Sequence, residues 1–251
     1  MNILGIRIDN FNTQETLKKI SEFLDSNTSH KIFTPNPEML VDAQKDKYFT
    51  EVLNSSDLNV CDGFGLSLVS RAKRLPGVDL MMLICQMAES KNKSIYLLGS
   101  GSDEVIGGTK KFLQKKFPKL RIVGTNPGLK IDKIKADEKN VIVYDKEKND
   151  DLVHDIIMTA PDILFVAFGH IKQEKWIQEN LADLPSVKIA LGLGGSFDFL
   201  SGKIRRAPKF LRLIGLEWLC RLIKQPWRIK RIWKATVVFL ILVIKNRNKK
   251  V

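Results

Sequence analysis

Four short segments of this 251-residue chain set reactive or phosphate-seeking groups beside residues that fix the backbone. In Thr34-Pro35-Asn36-Pro37-Glu38 two prolines restrict the chain and present a hydroxyl and an amide. In Asp62-Gly63-Phe64-Gly65 an acid ends the apolar run Leu58-Asn59-Val60-Cys61 where the backbone must turn, and a general base would stand there. Taken alone, Thr34, Asn36 and Asp62 serve equally as helix caps. The other two segments are glycine turns leading into helices, Gly99-Ser100-Gly101-Ser102 and Gly192-Leu193-Gly194-Gly195-Ser196-Phe197-Asp198. Such turns expose backbone N–H groups to a phosphate, which makes Gly99, Gly194 and Ser196 candidate substrate contacts.

What is missing narrows the chemistry. Neither glycine turn is a dinucleotide fingerprint, because the last position of G-x-G-x-x-G falls on Glu104 or Phe197. There is no phosphate loop of the G-x-x-x-x-G-K-[ST] kind and no G-x-S-x-G elbow. No Asp-x-Asp pair is present to hold a divalent ion on a pyrophosphate, so Arg or Lys would have to neutralise a leaving diphosphate and no metal is expected. His30, His154 and His170 are isolated and read as surface or turn residues. Cys61, Cys85 and Cys220 lack C-x-x-C spacing, which speaks against a disulfide framework or a zinc site and for a reducing compartment.

The four segments are positioned by a recurring pattern of apolar strand and amphipathic helix. Strand-like runs at 31–33, 58–61, 94–98, 120–123, 163–167 and 187–191 alternate with helical patterns at 37–54, 64–73, 103–117 and 172–182. The fold class is therefore α/β, a Rossmann-like, mostly parallel sheet with helices on both faces, and its ligands bind at the carboxyl ends of the strands. Residues 130–151, rich in Lys, Asp, Glu and Asn, read as a mobile loop within a further helix pair. The apolar fraction of 44% excludes global disorder.

The charge lies at one end. Residues 201–251 hold 15 Lys and Arg against the single acid Glu217, whereas residues 1–200 hold 26 against 27. Trp218, Trp227, Trp233 and several aliphatics interleave with those cations, as in a segment lying on an anionic membrane surface. A nucleic-acid tail would be as basic but would not need three tryptophans and the run Val237 to Ile244. The uncharged stretch Ala235 to Ile244 is too short for the ~20 residues of a membrane-spanning helix. Arg7, Asp9 and Asn10 interrupt the opening apolar residues, so no signal peptide is expected. We divide the chain into an α/β catalytic domain, 1–200, and a basic, Trp-containing C-terminal appendage, 201–251, on the cytoplasmic face of the membrane.

In order along the chain, several blocks resemble the WecG/TagA/CpsF glycosyltransferases. They are Thr34 to Met39, Asp62 to Gly65, Gly77 to Met81, Tyr96 to Gly99, Phe168-Gly169 with Lys172 to Trp176, Gly194 to Asp198, and Gly202-Lys203 with Arg206-Ala207-Pro208. Leu216 to Leu219 with Arg221-Leu222 and Pro226 extend the likeness into the appendage, while the apolar end after Lys234 departs from it. The resemblance implies a peripheral enzyme of cell-envelope polymer synthesis, in the teichoic-acid branch. Such an enzyme moves N-acetylmannosamine from a UDP donor to N-acetylglucosamine on a polyprenyl diphosphate, with inversion and without a cofactor or catalytic metal. It further implies Asp62 as base and Thr34 as a donor-site residue. Asn36, Arg74, Gln173 and Asp198 would line the same pocket, with Arg221, Arg228 and Arg231 on the appendage. Expected partners are the UDP-sugar, the lipid-linked acceptor and an anionic membrane, and no nucleic acid. The sequence leaves a homo-oligomer open, and another UDP-hexose is the alternative donor. A nucleic-acid-binding protein and a nicotinamide oxidoreductase are the rivals from other classes.

Overall fold

The structure is a computed structural model that describes residues 1–136, 139–213 and 215–248, without the side chains of Ala136, Lys139, Lys209, Leu213, Arg221, Lys224, Arg247 and Asn248. A short antiparallel pair, β1 (Asn2–Ile3) and β2 (Ile6–Arg7), precedes helix α1 (Thr13–Leu24), which Asn12 and Glu15 start with a reciprocal capping box. Then come β3 (His30–Phe33), α2 (Pro37–Ala43), α3 (Lys47–Asn54), β4 (Leu58–Asn59), α4 (Phe64–Ser70) and α5 (Gly77–Ser90). They are followed by β5 (Ser94–Gly99), α6 (Asp103–Lys116), β6 (Arg121–Asn126), β7 (Asp132–Ala136), β8 (Lys139–Val143) and α7 (Lys146–Thr159). The body closes with β9 (Ile163–Ala167), α8 (Lys172–Asn180), β10 (Ile189–Gly192) and α9 (Ser196–Leu200).

Six strands in the order β4-β3-β10-β9-β5-β6 make one parallel sheet. The central strands are buried on both sides, as their unbroken apolar sequences require. Their period of two divides the core. Ile95, Ile163 and Ile189 form one row across β5, β9 and β10 and pack under α1, α5, α6 and α9. The next row, Tyr96, Leu164 and Ala190, faces α2, α3, α7 and α8 on the other side. The apolar stretch 37–54 is two helices, because Asp46 caps a new one at Phe49 N–H. Residues 130–151 differ from the expected loop and helix pair. Ile134 pairs with Val141 and Asp132 with Val143 across an antiparallel β7–β8 ladder, and α7 begins at an Asp145 cap.

The appendage consists of α10 (Lys209–Leu213), α11 (Glu217–Lys224), a turn at Pro226–Arg228, α12 (Ile229–Trp233), a π-helical turn at Lys234–Val238, and α13 (Phe239–Asn248). Phe239 and Val243 are buried in the same core as α2 and α3, while Leu240, Ile241 and Ile244 stay exposed. The apolar run thus rests one face on the body. Among the described residues no helix is long and apolar enough to cross a membrane.

Candidate functional site

Five strands of the sheet deliver their carboxyl ends to one cavity of about 840 Å³. Thr34 and Asn36 follow β3, Asp62 and Gly63 follow β4, Ser100 and Gly101 follow β5, Phe168 and Gly169 follow β9, and Leu193 to Ser196 follow β10. The two strand-end motifs of the sequence pack on each other, since a Cβ added to Gly63 would stand 2.2 Å from Pro37 Cδ. Asp62 is held from both sides. Its N–H donates to Pro35 O at 3.1 Å, and its carboxylate accepts the N–H of Gly77 at the start of α5, where Pro76 offers no side-chain cap. Burial pushes the Asp62 carboxyl up to about 6, against the pull of Arg74 and with a push from Glu217; the Gly77 N–H and Arg206 also pull it down. It is therefore a carboxylate mostly ionised near neutral pH yet with more proton affinity than a surface acid.

Most other rim side chains bind backbone. Thr34 Oγ1 donates to Gly192 O at 3.3 Å, Asn36 Oδ1 caps Met39 N–H at 3.1 Å, and Ser196 Oγ donates to Leu193 O at 2.7 Å. Gln173 accepts the N–H of Gly194 at 2.8 Å and donates to Glu174 at 2.7 Å. Glu174 in turn accepts the N–H of Ile171, a β-branched residue at φ +72, so a fully buried carboxyl sets the strained loop after β9. Burial pushes that carboxyl up, against the Gln173 hydrogen bond. The glycine turn after β5 corrects the sequence reading. Its Ser100 and Gly101 N–H groups donate to Ala167 O and Pro127 O, so they are not available to a phosphate. Gly99 itself lies behind the cavity against the Ala167 backbone, with no room for a Cβ and φ at +110.

The appendage closes the cavity through two sets of ion pairs. On one side Arg74 donates to Asp62 O at 2.8 Å, to Arg212 O at 3.0 Å and to Glu217 at 3.2 Å, and Arg206 bridges Glu217 and Asp79. On the other, Arg231 grips both oxygens of Glu38, and Lys234 pairs with Asp42 at 2.8 Å. His170 is not isolated: it meets Asp42 at 3.1 Å and Glu38 at 3.8 Å. Burial alone would raise the Asp42 carboxyl, but His170 and Lys234 hold it below the usual range. His30 is likewise engaged, stacked on Phe23 at 4.0 Å. Cys61, beside Asp62, is no nucleophile, since burial and the Asp62 charge push its thiol up to about 12.

A family model described as Glycosyl transferase WecG/TagA/CpsF family matches residues 1–251. The chain belongs to that family. It is 32% identical over 234 residues to the N-acetylglucosaminyldiphosphoundecaprenol N-acetyl-beta-D-mannosaminyltransferase of Bacillus subtilis (strain 168), covering 91% of this chain and 84% of the relative. Against the relative of the same name from Bacillus spizizenii (strain ATCC 23059 / NRRL B-14472 / W23) the identity is 32% over 84% of this chain and 77% of that one. Against that of Staphylococcus aureus (strain MW2) it is 26% over 99% and 94%.

In this glycosyltransferase the fold brings Thr34, Asn36, Asp62, Arg74, Gln173, Gly194, Ser196, Asp198, Arg228 and Arg231 to one cavity. Asp198 lines it beside Ser196 and Phe199. Arg221 lies in α11, and its side chain is outside the described ones. Sequence reasoning missed Arg206, Glu217, Glu38, His170 and the N-terminus of α5. Glu38, Gly77 and Arg206 lie inside blocks that carry the resemblance, and Glu217 stands out as the lone acid of the basic appendage, but His170 carried no signal.

Proposed function

We propose that this glycosyltransferase moves N-acetylmannosamine from a UDP donor to N-acetylglucosamine on a polyprenyl diphosphate, with inversion and without a metal. The observation that carries the reading is Asp62: a partly enclosed carboxylate, raised to about 6, at a strand's carboxyl end in a cavity shared with arginines. Asp62 takes the proton of the acceptor hydroxyl as its oxygen bonds to the anomeric carbon. The bond from that carbon to the diphosphate breaks, and UDP leaves with the electron pair. Arg228 and Arg231 line the cavity where that charge would build, and Arg206 adds a third guanidinium. The acceptor and donor sugar follow the names of the relatives.

Metal independence rests on the sequence and on charge. Glu38, Asp42 and His170 bring three ligand atoms within 4.8 Å of one another, but Arg231 and Lys234 already neutralise both carboxylates. Peripheral attachment to an anionic membrane is supported by Trp227 and Ile223, each 73% exposed, and by Trp233 at 60%, set among the appendage's cations. A product assay with a panel of UDP-sugars and a short-chain lipid acceptor tests the reading. The expected product is the acceptor bearing one β-linked N-acetylmannosamine. Transfer of a different hexose would replace the donor assignment, and salt-sensitive binding to DNA or RNA with no transfer would overturn the reading altogether.

A further inference from the structure

The one acid of the appendage reaches the guanidinium that flanks Asp62. Glu217 opens α11 with its side chain 15% exposed, and sets Oε2 3.2 Å from Arg74 Nη2 and Oε1 3.3 Å from Arg206 Nε. Arg74 is a fork with three tines, to the backbone carbonyl of Asp62, to the carbonyl of Arg212 and to Glu217. Arg206 holds both oxygens of Asp79 in the first turn of α5, the helix whose Gly77 N–H meets the Asp62 carboxylate. Body and appendage therefore share one ring of charges around Asp62.

We propose that Glu217 is a positioning residue for the base: it holds the Arg74 guanidinium on the backbone side of Asp62, away from the carboxylate, so that the base is free only while the appendage is seated. The proposal rests on the reading of Asp62 as the base. Its physical reason is competition. A guanidinium that pairs directly with a carboxylate lowers the carboxyl pKa by about 1–3 units and occupies the oxygen that must take the proton. Arg74 already stands 2.8 Å from the carbonyl of the same residue and acts on its carboxylate through charge, so losing Glu217 would free the guanidinium to turn to that carboxylate. The other charged groups facing Asp62 do not replace Glu217. Arg206 is fixed on Asp79 by two hydrogen bonds, and the Cys61 thiol stays neutral.

The test is the pH profile of kcat/KM for the full chain, with UDP-N-acetylmannosamine and a short-chain lipid acceptor, alongside a ¹³C-aspartate titration of the enzyme without substrates. The wild type should show an acid limb near pH 6. Glu217→Gln should move that limb, and the Asp62 titration, down by about one unit and lower turnover severalfold. Adding Arg74→Gln should return the limb toward its wild-type position. Lys234→Gln, which frees Asp42 on the other side of the appendage, should leave the limb where it is. An unmoved limb and titration in Glu217→Gln, with the wild-type melting temperature, overturns the proposal, as does a double variant that stays with the single one. A wild type with no limb and no Asp62 titration near pH 6 instead removes the reading of Asp62 as base, and this proposal with it.

Discussion

The rim and the appendage meet over the same cavity and are held in opposite ways. On the rim, Thr34 and Gln173 bind backbone groups at the end of β10, and Asn36 and Ser196 close turns within their own segments, so their geometry belongs to the sheet and its loops. The appendage is held by ion pairs to Arg74, Asp79, Glu38 and Asp42 and by two buried side chains, Phe239 and Val243, while its tryptophans remain outside. A surface ion pair is worth about 0–1 kcal/mol, so what seats the appendage most firmly is apolar contact and what aligns it is charge. One half of the site is fixed by the sheet; the other is placed by ion pairs and by the apolar contacts of Phe239 and Val243.

The largest effect should come from the fixed half. Asp62→Asn keeps the shape and removes the proton acceptor, so turnover should fall on the order of a hundredfold or more while UDP binding by calorimetry persists. Its melting temperature at pH 7 should be no lower, because burial disfavours the ionised carboxylate it replaces. In the wild type, activity should fall as pH drops through about 6, when Asp62 takes up a proton. Wild-type turnover in the variant would reduce Asp62 to a cap on α5.

Phe239→Ala measures how firmly the docked half is seated. A side chain buried this fully in a permanent core costs about 3–5 kcal/mol when truncated, read as loss of unfolding free energy in urea. A change within about 0.5 kcal/mol would mean that the appendage leaves the body freely in solution. Changing Trp227 and Trp233 together to Ser should do the reverse, leaving unfolding almost untouched and weakening binding to anionic vesicles on the order of tenfold or more. If vesicle binding survived, the exposed face would not be the membrane contact. The smallest effect is expected from excess EDTA, which should leave turnover unchanged; loss restored by Mg²⁺ or Mn²⁺ would give a metal role to Asp198 or to Glu38 and Asp42.

The sequence by itself determined the local features. Unbroken apolar runs such as Ile95 to Leu98 and Ile163 to Ala167 declared buried parallel strands, because such residues satisfy a strand covered on both faces. The motifs after those runs had to share one edge of the sheet, since parallel strands end together. The concentration of cations and tryptophans after residue 200 was equally plain. The hairpin at 132–143 was misread because its polar, lysine-rich strands show their alternation only once β7 and β8 are paired. Tertiary structure alone decided the partners. Glu217 lies 143 residues from Arg74 and Arg231 lies 193 from Glu38, and nothing local to either end specifies such a pair. The availability of an N–H group was hidden in the same way: Ser100 and Gly101 look open in a glycine turn until Ala167 and Pro127 arrive beside them. Periodicity and turn chemistry act over a few residues and can be read from the chain. Which charge is neutralised and which donor is left free depends on what packing brings within about 3 Å.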